Sequence, residues 1–305
     1  MRASDVVLHH YWESPYAEKV RRILGFKGLA WKSVLIPMMM PKPDLLALTG
    51  GYRKTPVLQI GADVYCDTDL IARVLERLRP EPTLFPAGTE ALVYALGPWQ
   101  GELFWLAVRR VGTTVPIFPD GFLEDRSKMV EGGMSLEKLL REVGPEREKL
   151  RAKLDLLERL LAAGGPFVLG AAPSLADFSL FHPVFALKLF PQTAEDLAAF
   201  PAIRAWAARI EAFGYGEMTE IPSAAAVDIA RAATPVATSG VADGEPNGLR
   251  AGERVSVVHE SFGLDPTVGE LVAASVHEIA VRRTDERAGE IVVHFPREHY
   301  LVSRV

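Results

Sequence analysis

The order of strand and helix patterns over residues 5 to about 80 constrains the fold more than any other feature of the chain. Asp5 to Tyr11 is rich in β-forming residues, and Ser14-Pro15 then opens a helical pattern that ends near Gly28. Serine at an N-cap followed by proline at the first helical position is a typical helix start. A second strand pattern follows at Trp31 to Ile36. The chain therefore begins with a strand–helix–strand unit.

A hairpin and a second helix complete this first unit. Pro56 to Ile60 and Val64 to Cys66 are short β-rich runs on either side of a turn, which predicts a hairpin. A helix then starts at Asp67-Thr68, because apolar residues recur there at helical spacing. The apolar residues are Leu70, Ile71, Val74, Leu75 and Leu78. The order βαβ followed by ββα predicts a compact α/β domain over residues 1–82.

The next part of the chain, residues 90–213, has an almost entirely helical pattern. An apolar stripe runs from Pro145 to Ala163 and stops at a Gly-Gly-Pro breaker. Ser174 followed by Asp177 forms a capping box, which predicts a helix start, and Pro183 is expected to kink that helix. A last helix is predicted from Pro201 to Phe213. These patterns predict an all-α domain.

The composition changes again after residue 213. Residues 214–247 are rich in Ala, Gly, Ser, Thr and Pro, which predicts a linker with one short helix from Ser223 to Ala233. Short β runs separated by turns then predict a small β-barrel-like domain over residues 248–305. The runs are Arg254 to His259, Glu270 to Ala273, Ile279 to Arg283, Ile291 to Phe295 and Tyr300 to Val305.

Composition excludes several classes of protein. The net charge of −5 argues against a nucleic-acid partner, and no apolar stretch reaches the ~20 residues of a membrane-spanning helix. We find no signal peptide and expect a cytoplasmic location. Cys66 is the single cysteine, which excludes an internal disulfide and a cysteine-only metal cluster. The histidines near the C-terminus read as scattered surface residues, so we expect no metal.

Four motifs, in the right order, resemble the cytosolic glutathione transferases of the serine type, as found in bacteria. His10 to Arg21 is similar to the family's Ser-Pro segment, and Arg53 to Leu58 is similar to its Lys-Val-Pro-x-Leu segment. Cys66 to Ile71 resembles its Glu-Ser-x-x-Ile motif with both signature residues replaced, and Gly170 to Asp177 resembles its helical capping motif. The resemblance covers residues 5–213. It implies a thioredoxin-like domain followed by a helical domain, glutathione as co-substrate, and a homodimer.

Ser14 is the candidate catalytic residue. The thiolate is the nucleophilic form of a thiol, and a free thiol with a pKa of about 8.5 is mostly protonated at neutral pH. A hydroxyl donor and the partial positive charge of a helix N-terminus both stabilise the anion, and Ser14 would supply both. The resemblance implies that Ser14 holds the sulfur of glutathione. The alternative is that Ser14 only caps its helix.

The resemblance also implies residues that bind the peptide. The Thr55-Pro56 bond is expected to be cis, so that the backbone of Thr55 pairs with the cysteinyl part of glutathione. Asp67 would bind the α-ammonium of the γ-glutamyl group, and Thr68 its carboxylate. The alternative for Asp67 and Thr68 is helix capping alone.

Two lysines are candidates for the glycine carboxylate of glutathione. Lys54 matches the family segment, whereas Lys42 is placed only approximately and could equally be a solvated surface lysine. Cys66 ends an apolar strand, and we expect it to be buried rather than catalytic.

The second substrate, a small electrophile, is expected in the cleft between the two domains. The candidate residues for this pocket are the aromatic residues Trp12, Trp99, Phe104, Trp105, Phe118 and Phe122. The alternative for each is an ordinary core position, because aromatic residues at helical spacing are common in cores.

The residues therefore predict an enzyme that activates the glutathione thiol for attack on a small electrophile. Isomerisation or reductive dehalogenation with the same thiolate is possible within this class. An alternative from another class is a non-catalytic binding or scaffold protein that recruits a partner through its C-terminal β domain.

Overall fold

One β-sheet connects the two ends of the chain in the computed structural model, which describes residues 6–114, 119–133, 136–236 and 238–305. Its strands in the first part of the chain are β1 (Val6–His10), β2 (Ala30–Leu35), β3 (Val57–Ile60) and β4 (Asp63–Cys66). Those in the second part are β5 (Glu217–Glu220), β6 (Gly240–Val241), β7 (Arg254–His259), β8 (Thr267–Ala274), β9 (Glu278–Asp285), β10 (Gly289–Pro296) and β11 (Tyr300–Arg304).

The first unit has the predicted thioredoxin-like order. Strand β1 pairs in parallel with β2 and antiparallel with β3, and β3 pairs antiparallel with β4. Helix α1 (Pro15–Phe26) connects β1 to β2, and α3 (Thr68–Leu78) follows β4. A short helix, α2 (Pro43–Thr49), lies in the β2–β3 connection, where the sequence analysis predicted no element. The predicted strands and helices of this unit are thus present.

Alternation along the strands places the two faces of the sheet against different cores. Val6 and Leu8 of β1 belong to a core shared with α1, α3 and the helical domain, whereas Val7 faces a second core. The second core contains residues of α2, such as Leu45, and of β10, such as Phe295. Successive side chains of a strand point to opposite faces of the sheet. Because both faces of β1 lie against a core, all five of its residues are buried.

The helical domain is also present. Its helices are α4 (Glu90–Ala95), α5 (Gly97–Thr114), α6 (Phe122–Ser127), α7 (Leu136–Gly164), α8 (Leu175–Lys188), α9 (Pro191–Ala194) and α10 (Pro201–Glu211). Helix α7 contains the predicted apolar stripe and extends beyond it towards the N-terminus, so that Pro145 lies inside the helix. Helix α8 continues through Pro183. None of the described helices is long and apolar enough to cross a membrane.

The predicted capping box at the start of α8 is confirmed. The backbone N–H and the hydroxyl of Ser174 both donate to one carboxylate oxygen of Asp177, at 2.8 and 2.9 Å. The other oxygen accepts from the backbone N–H of Val168 and from the indole N–H of Trp206, both at 2.8 Å. The buried carboxylate therefore connects α8 to α10 and to the segment before it.

The five predicted C-terminal strands are present as β7 to β11, but they do not stand apart from the first domain. Strand β10 pairs in parallel with β4, so the sheet order is β11-β7-β8-β9-β10-β4-β3-β1-β2-β5, with β6 beside β8. Among the described residues, β11 pairs with β7 alone, so the strands extend the first sheet instead of closing on themselves. The predicted linker contains α11 (Ser223–Ala232), as expected, and also β5, which the sequence analysis missed.

A buried charged cluster lies at the joint between β4 and β10. His294 on β10 bonds Asp63 on β4 at 3.0 Å and Glu278 on β9 at 2.7 Å, and its ring stacks on Tyr65 at 4.4 Å. Burial opposes the charged form of the imidazole, but the hydrogen bonds to Asp63 and Glu278 outweigh it and raise the pKa of His294. The joint thus combines a strand ladder with an ion-pair network.

Candidate functional site

A cavity of about 690 Å³ lies where the first domain, the helical domain and the C-terminal strands meet. We call one side of it the polar flank, formed by the first domain and the C-terminal strands. The residues of the polar flank used below are Tyr11, Lys19, Lys54, Thr55, Pro56, Asp67, Thr68, His259, Glu260, Glu298 and His299. The opposite side, the aromatic flank, belongs mainly to the helical domain and contains Tyr16, Phe104, Trp105 and His182.

Ser14 is the N-cap of α1, at the edge of the cavity. Its hydroxyl oxygen accepts a hydrogen bond from the backbone N–H of Ala17 at 3.2 Å, and the side chain is nearly buried, with 3% of the residue exposed. The residues on either side of it, Glu13 and Pro15, line the cavity. The capping bond uses the oxygen as an acceptor and leaves the hydroxyl proton available for a second partner.

Tyr11 is a second hydroxyl group next to Ser14, and it lines the cavity. Burial raises the pKa of the Tyr11 phenol, and Arg126 and the hydroxyl of Ser14 partly oppose this effect. Arg126 also lines the cavity and lies over the ring of Phe122, at 4.5 Å. The sequence analysis assigned no role to Tyr11 or Arg126.

The Thr55-Pro56 bond is cis, as expected, and both residues line the cavity. Lys42, which was predicted to bind the glycine carboxylate, is buried behind this segment. Its ammonium donates to the carbonyl of Arg53 at 3.1 Å and to the hydroxyl of Thr55 at 3.4 Å. Burial and the charges of neighbouring arginines lower the pKa of Lys42 to about 7, against the pull of Asp125. Lys42 therefore supports the wall of the cavity from behind.

Asp67 is the N-cap of α3 and has a left-handed backbone conformation, with φ of 77°. Its N–H donates to the hydroxyl of Tyr52 at 3.2 Å, and one carboxylate oxygen accepts from the N–H of Asp69 at 3.2 Å. The other oxygen accepts from the hydroxyl of Tyr300 at 3.3 Å. Because Tyr300 belongs to β11, the C-terminal strands hold a predicted glutathione-binding residue in place.

Lys54 lines the cavity on the same flank. Its ammonium lies 5.3 Å from the ring centre of Tyr52 and 5.1 Å from that of Tyr300, which are cation–π distances. Burial lowers the pKa of Lys54 to about 8, although the charge of Asp67 opposes this shift. Lys54 thus remains mostly protonated at neutral pH and faces the cavity.

Thr68, the first residue of α3, is paired with a buried lysine. Its hydroxyl accepts a hydrogen bond from Lys19 at 3.2 Å, and the same ammonium binds the carboxylate of Asp69 at 2.7 Å. Lys19 is 3% exposed and lines the cavity. The N-terminus of α3 therefore brings together the ammonium of Lys19, the carboxylates of Asp67 and Asp69, and its own free N–H groups.

Arg53 forms salt bridges that connect three parts of the cavity wall. Its guanidinium donates to Asp125 on α6 at 2.8 Å and to Asp265, in the loop between β7 and β8, at 2.7 Å. Arg53, two residues before Thr55, thus binds the first domain both to the helical domain and to the loop between β7 and β8. A buried guanidinium with two carboxylates fixes geometry because its donors are arranged in a rigid plane.

The aromatic flank is a cluster of rings in mutual contact. The ring of Tyr16 lies 4.4 Å from that of Phe104 and 4.6 Å from that of His182. Trp105 contacts Phe104 at 5.3 Å and Phe262, in the loop between β7 and β8, at 5.6 Å. This flank can hold a flat apolar group, with the imidazole of His182 as a polar group within it.

Family models match the two main parts of the chain. The model for the glutathione S-transferase N-terminal domain matches residues 8–83, and the model for the C-terminal domain matches residues 130–209. A GST-like protein from Pseudomonas syringae, known from its crystal structure, is 40% identical with a TM-score of 0.83. The match covers 99% of this chain and 100% of that one. The chain belongs to the glutathione S-transferase family.

Other members of the family resemble it in fold alone. A glutathione S-transferase from Ceriporiopsis subvermispora, in complex with glutathione, has a TM-score of 0.55 at 24% identity, covering 68% of this chain and 97% of that one. A family member from Pseudomonas fluorescens, with two glutathione bound, has a TM-score of 0.52 at 15% identity. The match covers 69% of this chain and 89% of that one. A comparison with curated proteins finds no match. The C-terminal strands lie beyond both family models and within the match to the P. syringae protein.

Two aromatic residues predicted for the second-substrate pocket lie elsewhere in this family member. Trp12 packs on the guanidinium of Arg21 at 4.9 Å and on the ring of Tyr215 at 5.7 Å, away from the cavity. Trp99 packs against the first core. Phe104, Trp105 and Phe122 line the cavity. Phe118 lies outside the described residues.

The sequence analysis missed the C-terminal contribution to the cavity. His259, Glu260, His299 and their neighbours line the polar flank, although the resemblance to the family ends at residue 213. It also missed His182, whose place in an apolar helix is typical of a core residue. A polar residue in the middle of the otherwise apolar α8 was the available signal.

Proposed function

We propose that this family member is a glutathione transferase in which Ser14 stabilises the thiolate of bound glutathione. The observation that carries the proposal is the convergence of three features on one cavity. These are the N-terminus of α1 at Ser14, the cis Thr55-Pro56 segment, and the N-terminus of α3 at Asp67. Two helix N-termini and a backbone segment together match the sulfur, the carboxylate and the peptide groups of glutathione.

The chemistry of Ser14 follows from its hydrogen bond. The oxygen accepts from the N–H of Ala17, so the hydroxyl can donate to sulfur, and the positive end of α1 adds to the stabilisation. The thiol proton leaves to solvent, and the sulfur lone pair then forms a bond to the electrophilic carbon. The displaced electron pair goes to a leaving group or into a conjugated system. Tyr11, whose phenol interacts with Ser14 and Arg126, is the second candidate donor to the anion.

The peptide part of glutathione would bind along the polar flank. Thr55 offers its backbone to the cysteinyl unit: among the described residues, neither its N–H nor its C=O has a backbone partner. We assign the α-ammonium of the γ-glutamyl group to Asp67, its carboxylate to Thr68 and Lys19, and the glycine carboxylate to Lys54. Each of these residues lines the cavity; Asp67, Lys19 and Lys54 carry the complementary charge, and Thr68 offers a neutral hydroxyl donor.

The C-terminal strands support the enzyme hypothesis better than a scaffold hypothesis. Tyr300 binds Asp67, and His259, Glu260 and His299 line the same flank, so this region contributes to a small-molecule cavity. We retain as proposals a cytoplasmic homodimer, as the family resemblance implies, and the division of the chain into residues 1–82, 90–213, a linker at 214–247, and 248–305, of which the last shares one sheet with the first. Use of the thiolate for isomerisation or dehalogenation remains a variant of the same proposal.

The test is the pKa of the bound thiol in Ser14→Ala, with Ser14→Thr as the control that keeps both hydroxyl and cap. Calorimetry first measures glutathione binding, and the ultraviolet absorbance of the thiolate is then titrated against pH. We expect Ser14→Ala to return the thiol pKa towards ~8.5 and to lower kcat/KM for conjugation by about 10²-fold, as the loss of one anion-stabilising donor does. Ser14→Thr should resemble the wild-type protein.

An unchanged thiol pKa in Ser14→Ala contradicts the role of Ser14. In that case Tyr11→Phe, measured in the same way, would identify the second hydroxyl as the donor. Loss of the helix cap alone would lower the stability of Ser14→Ala by ~1 kcal/mol and leave the thiol pKa unchanged.

A further inference from the structure

The loop between β7 and β8, residues 260–266, is held against the wall of the cavity. The backbone N–H of Gly263 donates to the carbonyl of Met129 at 2.7 Å, and the carboxylate of Asp265 accepts from Arg53 at 2.7 Å. The loop lies beyond both family models, which end at residues 83 and 209. This chain therefore adds a fixed wall segment to the domains that the family models describe.

The same loop lies against Lys54. Gly263 has a left-handed backbone, with φ of 80°, and a Cβ at this position would lie 3.1 Å from two carbon atoms of the Lys54 side chain. The ammonium of Lys54 lies 5.1 Å from the ring centre of Tyr300, and the ring centre of His259 lies 5.1 Å from the same point. The loop and β11 thus place Lys54 and His259 next to one tyrosine ring.

His259, the last residue of β7, is bound to the loop through one ring nitrogen. Its Nδ1 accepts hydrogen bonds from the backbone N–H groups of Ser261 and Phe262, both at 3.1 Å. The other nitrogen, Nε2, has no hydrogen-bond partner within the described chain, and the residue lines the cavity. Because a nitrogen that accepts carries no proton, Nε2 carries the proton of the neutral ring. The loop therefore fixes the tautomer and makes Nε2 a donor.

The surroundings of His259 keep its ring neutral. Burial and the charge of Lys54 lower the pKa of His259 to about 4; His299 adds to this effect, and Asp67 and Glu260 oppose it. At neutral pH the Nε2–H group is thus a neutral donor near the ammonium of Lys54. A ligand group that satisfies both must accept hydrogen bonds and carry negative charge, which describes a carboxylate.

We propose that His259 binds the glycine carboxylate of glutathione and, together with Lys54, makes the site specific for a ligand with this carboxylate. The inference rests on the proposed function, which assigns the same carboxylate to Lys54. Nε2 donates to one carboxylate oxygen, while the ammonium of Lys54 neutralises the charge. A donor cannot bind the α-ammonium of the γ-glutamyl group, and the γ-glutamyl carboxylate is assigned to Thr68 and Lys19. The glycine end is the charged part of the peptide that remains for His259.

The experiment compares His259→Asn with His259→Gln. The amide oxygen of asparagine can take the place of Nδ1 and accept from the loop, but the side chain ends before the position of Nε2. The longer glutamine side chain brings an N–H donor to that position. The ligands are S-methylglutathione and S-methyl-γ-glutamylcysteine ethylamide, in which a methyl group replaces the glycine carboxylate. Calorimetry measures the affinity of each variant for both ligands.

We expect His259→Asn to weaken the binding of S-methylglutathione about tenfold, as the loss of a hydrogen bond to a charged group does, and to leave the binding of the ethylamide unchanged. His259→Gln should restore part of the loss, and Lys54→Gln, the positive control, should show the same dependence on the carboxylate. Equal losses for both ligands would assign His259 to the structure of the loop and overturn the proposal. An unchanged affinity of His259→Asn for S-methylglutathione overturns it as well. Both affinities are measured on one folded variant, so a change in its Tm leaves the comparison valid.

The outcome is independent of the thiolate chemistry. Both ligands lack a thiol, so their affinities do not depend on the stabilisation of a thiolate by Ser14. If Ser14→Ala leaves the thiol pKa of bound glutathione unchanged but the carboxylate-dependent loss in His259→Asn persists, the proposed function fails and the assignment of His259 stands. If the thiol pKa responds to Ser14→Ala and His259→Asn loses affinity for both ligands equally, only the assignment of His259 fails.

Discussion

The two flanks of the cavity differ in how their polar groups are satisfied. On the polar flank, Asp67 is bound by Tyr300, Thr68 by Lys19, and Lys54 lies over two tyrosine rings. On the aromatic flank, His182 has no hydrogen-bond partner among the described residues. A network of internal bonds fixes the geometry of a site before its ligand arrives, which reduces the entropy that binding costs. Under the proposed function, the polar flank is preorganised for glutathione, whereas the aromatic flank offers mainly ring surfaces to a second ligand.

The largest expected effect is a loss of stability, and it compares one core residue behind each flank. Phe295 is 1% exposed and contacts Tyr300 and Tyr52 at 5.3 and 6.0 Å, behind the polar flank. Phe178 is 0% exposed and lies one turn before His182 on α8. Each substitution by alanine should lower the free energy of unfolding by ~3–5 kcal/mol in urea titrations.

The two substitutions should nevertheless differ in function. At a temperature at which both variants are folded, we expect calorimetry to show weaker glutathione binding for Phe295→Ala and normal binding for Phe178→Ala. The reason is that only Phe295 supports the tyrosines that hold Asp67 and Lys54. Equal losses of glutathione affinity would mean that the flanks form one cooperative unit.

A smaller effect is expected from the hydroxyl group of Tyr300. Tyr300→Phe removes the hydrogen bond to Asp67 and should weaken glutathione binding about fivefold, which corresponds to ~1 kcal/mol for one hydrogen bond. The matched control is Tyr94→Phe: Tyr94 lines the same cavity, and its hydroxyl has no partner within the described chain. We expect calorimetry to show no change for the control, and comparable losses in both variants would contradict the role of Tyr300.

The smallest expected effect is a pH dependence specific to the polar flank. Burial lowers the pKa of Lys54 to about 8, so the ammonium loses its proton as the pH rises through that value. We expect the affinity for S-methylglutathione, which has no thiol to titrate, to fall by a few-fold between pH 7 and about 9. Lys54→Arg keeps its charge over this range and should show a flatter profile. The same pH dependence of affinity in the wild-type protein and in Lys54→Arg would exclude Lys54 as the source of the effect.

Much of the fold could be predicted from the sequence because its elements have local signals. The hairpin of β3 and β4, the capping box at Ser174, and the strands β7 to β11 each follow from alternation, caps or turns within a few residues. Strand β5 was missed because all four of its residues are exposed and show no apolar pattern. The pairing of β10 with β4 could not be predicted, because no local pattern specifies which sheet edge a distant strand joins.

The candidate site was predictable to a similar degree and for the same reason. Ser14, Thr55 and Asp67 lie at helix starts and at a proline, where single residues carry recognisable signals. Tyr300 and His182 look like core positions in the sequence, and only the packing of distant elements brings them to the cavity. Trp12 shows the opposite case: it was one of the aromatic candidates for the pocket between the domains, and the structure places it against Arg21.

The pairing of β10 with β4 also bears on how the protein is made. A ribosome completes β4 early and reaches β10 only near the end of the chain, at Gly289–Pro296 of 305 residues. At ~5–20 residues per second, the interval is on the order of tens of seconds. During that time the nascent first domain exposes the unpaired edge of β4 and those residues of the second core that later pack against the C-terminal strands, which are features that promote aggregation. Yield in a cell should therefore depend on chaperones that act during translation, and premature termination anywhere before β10 should leave an incomplete, aggregation-prone sheet.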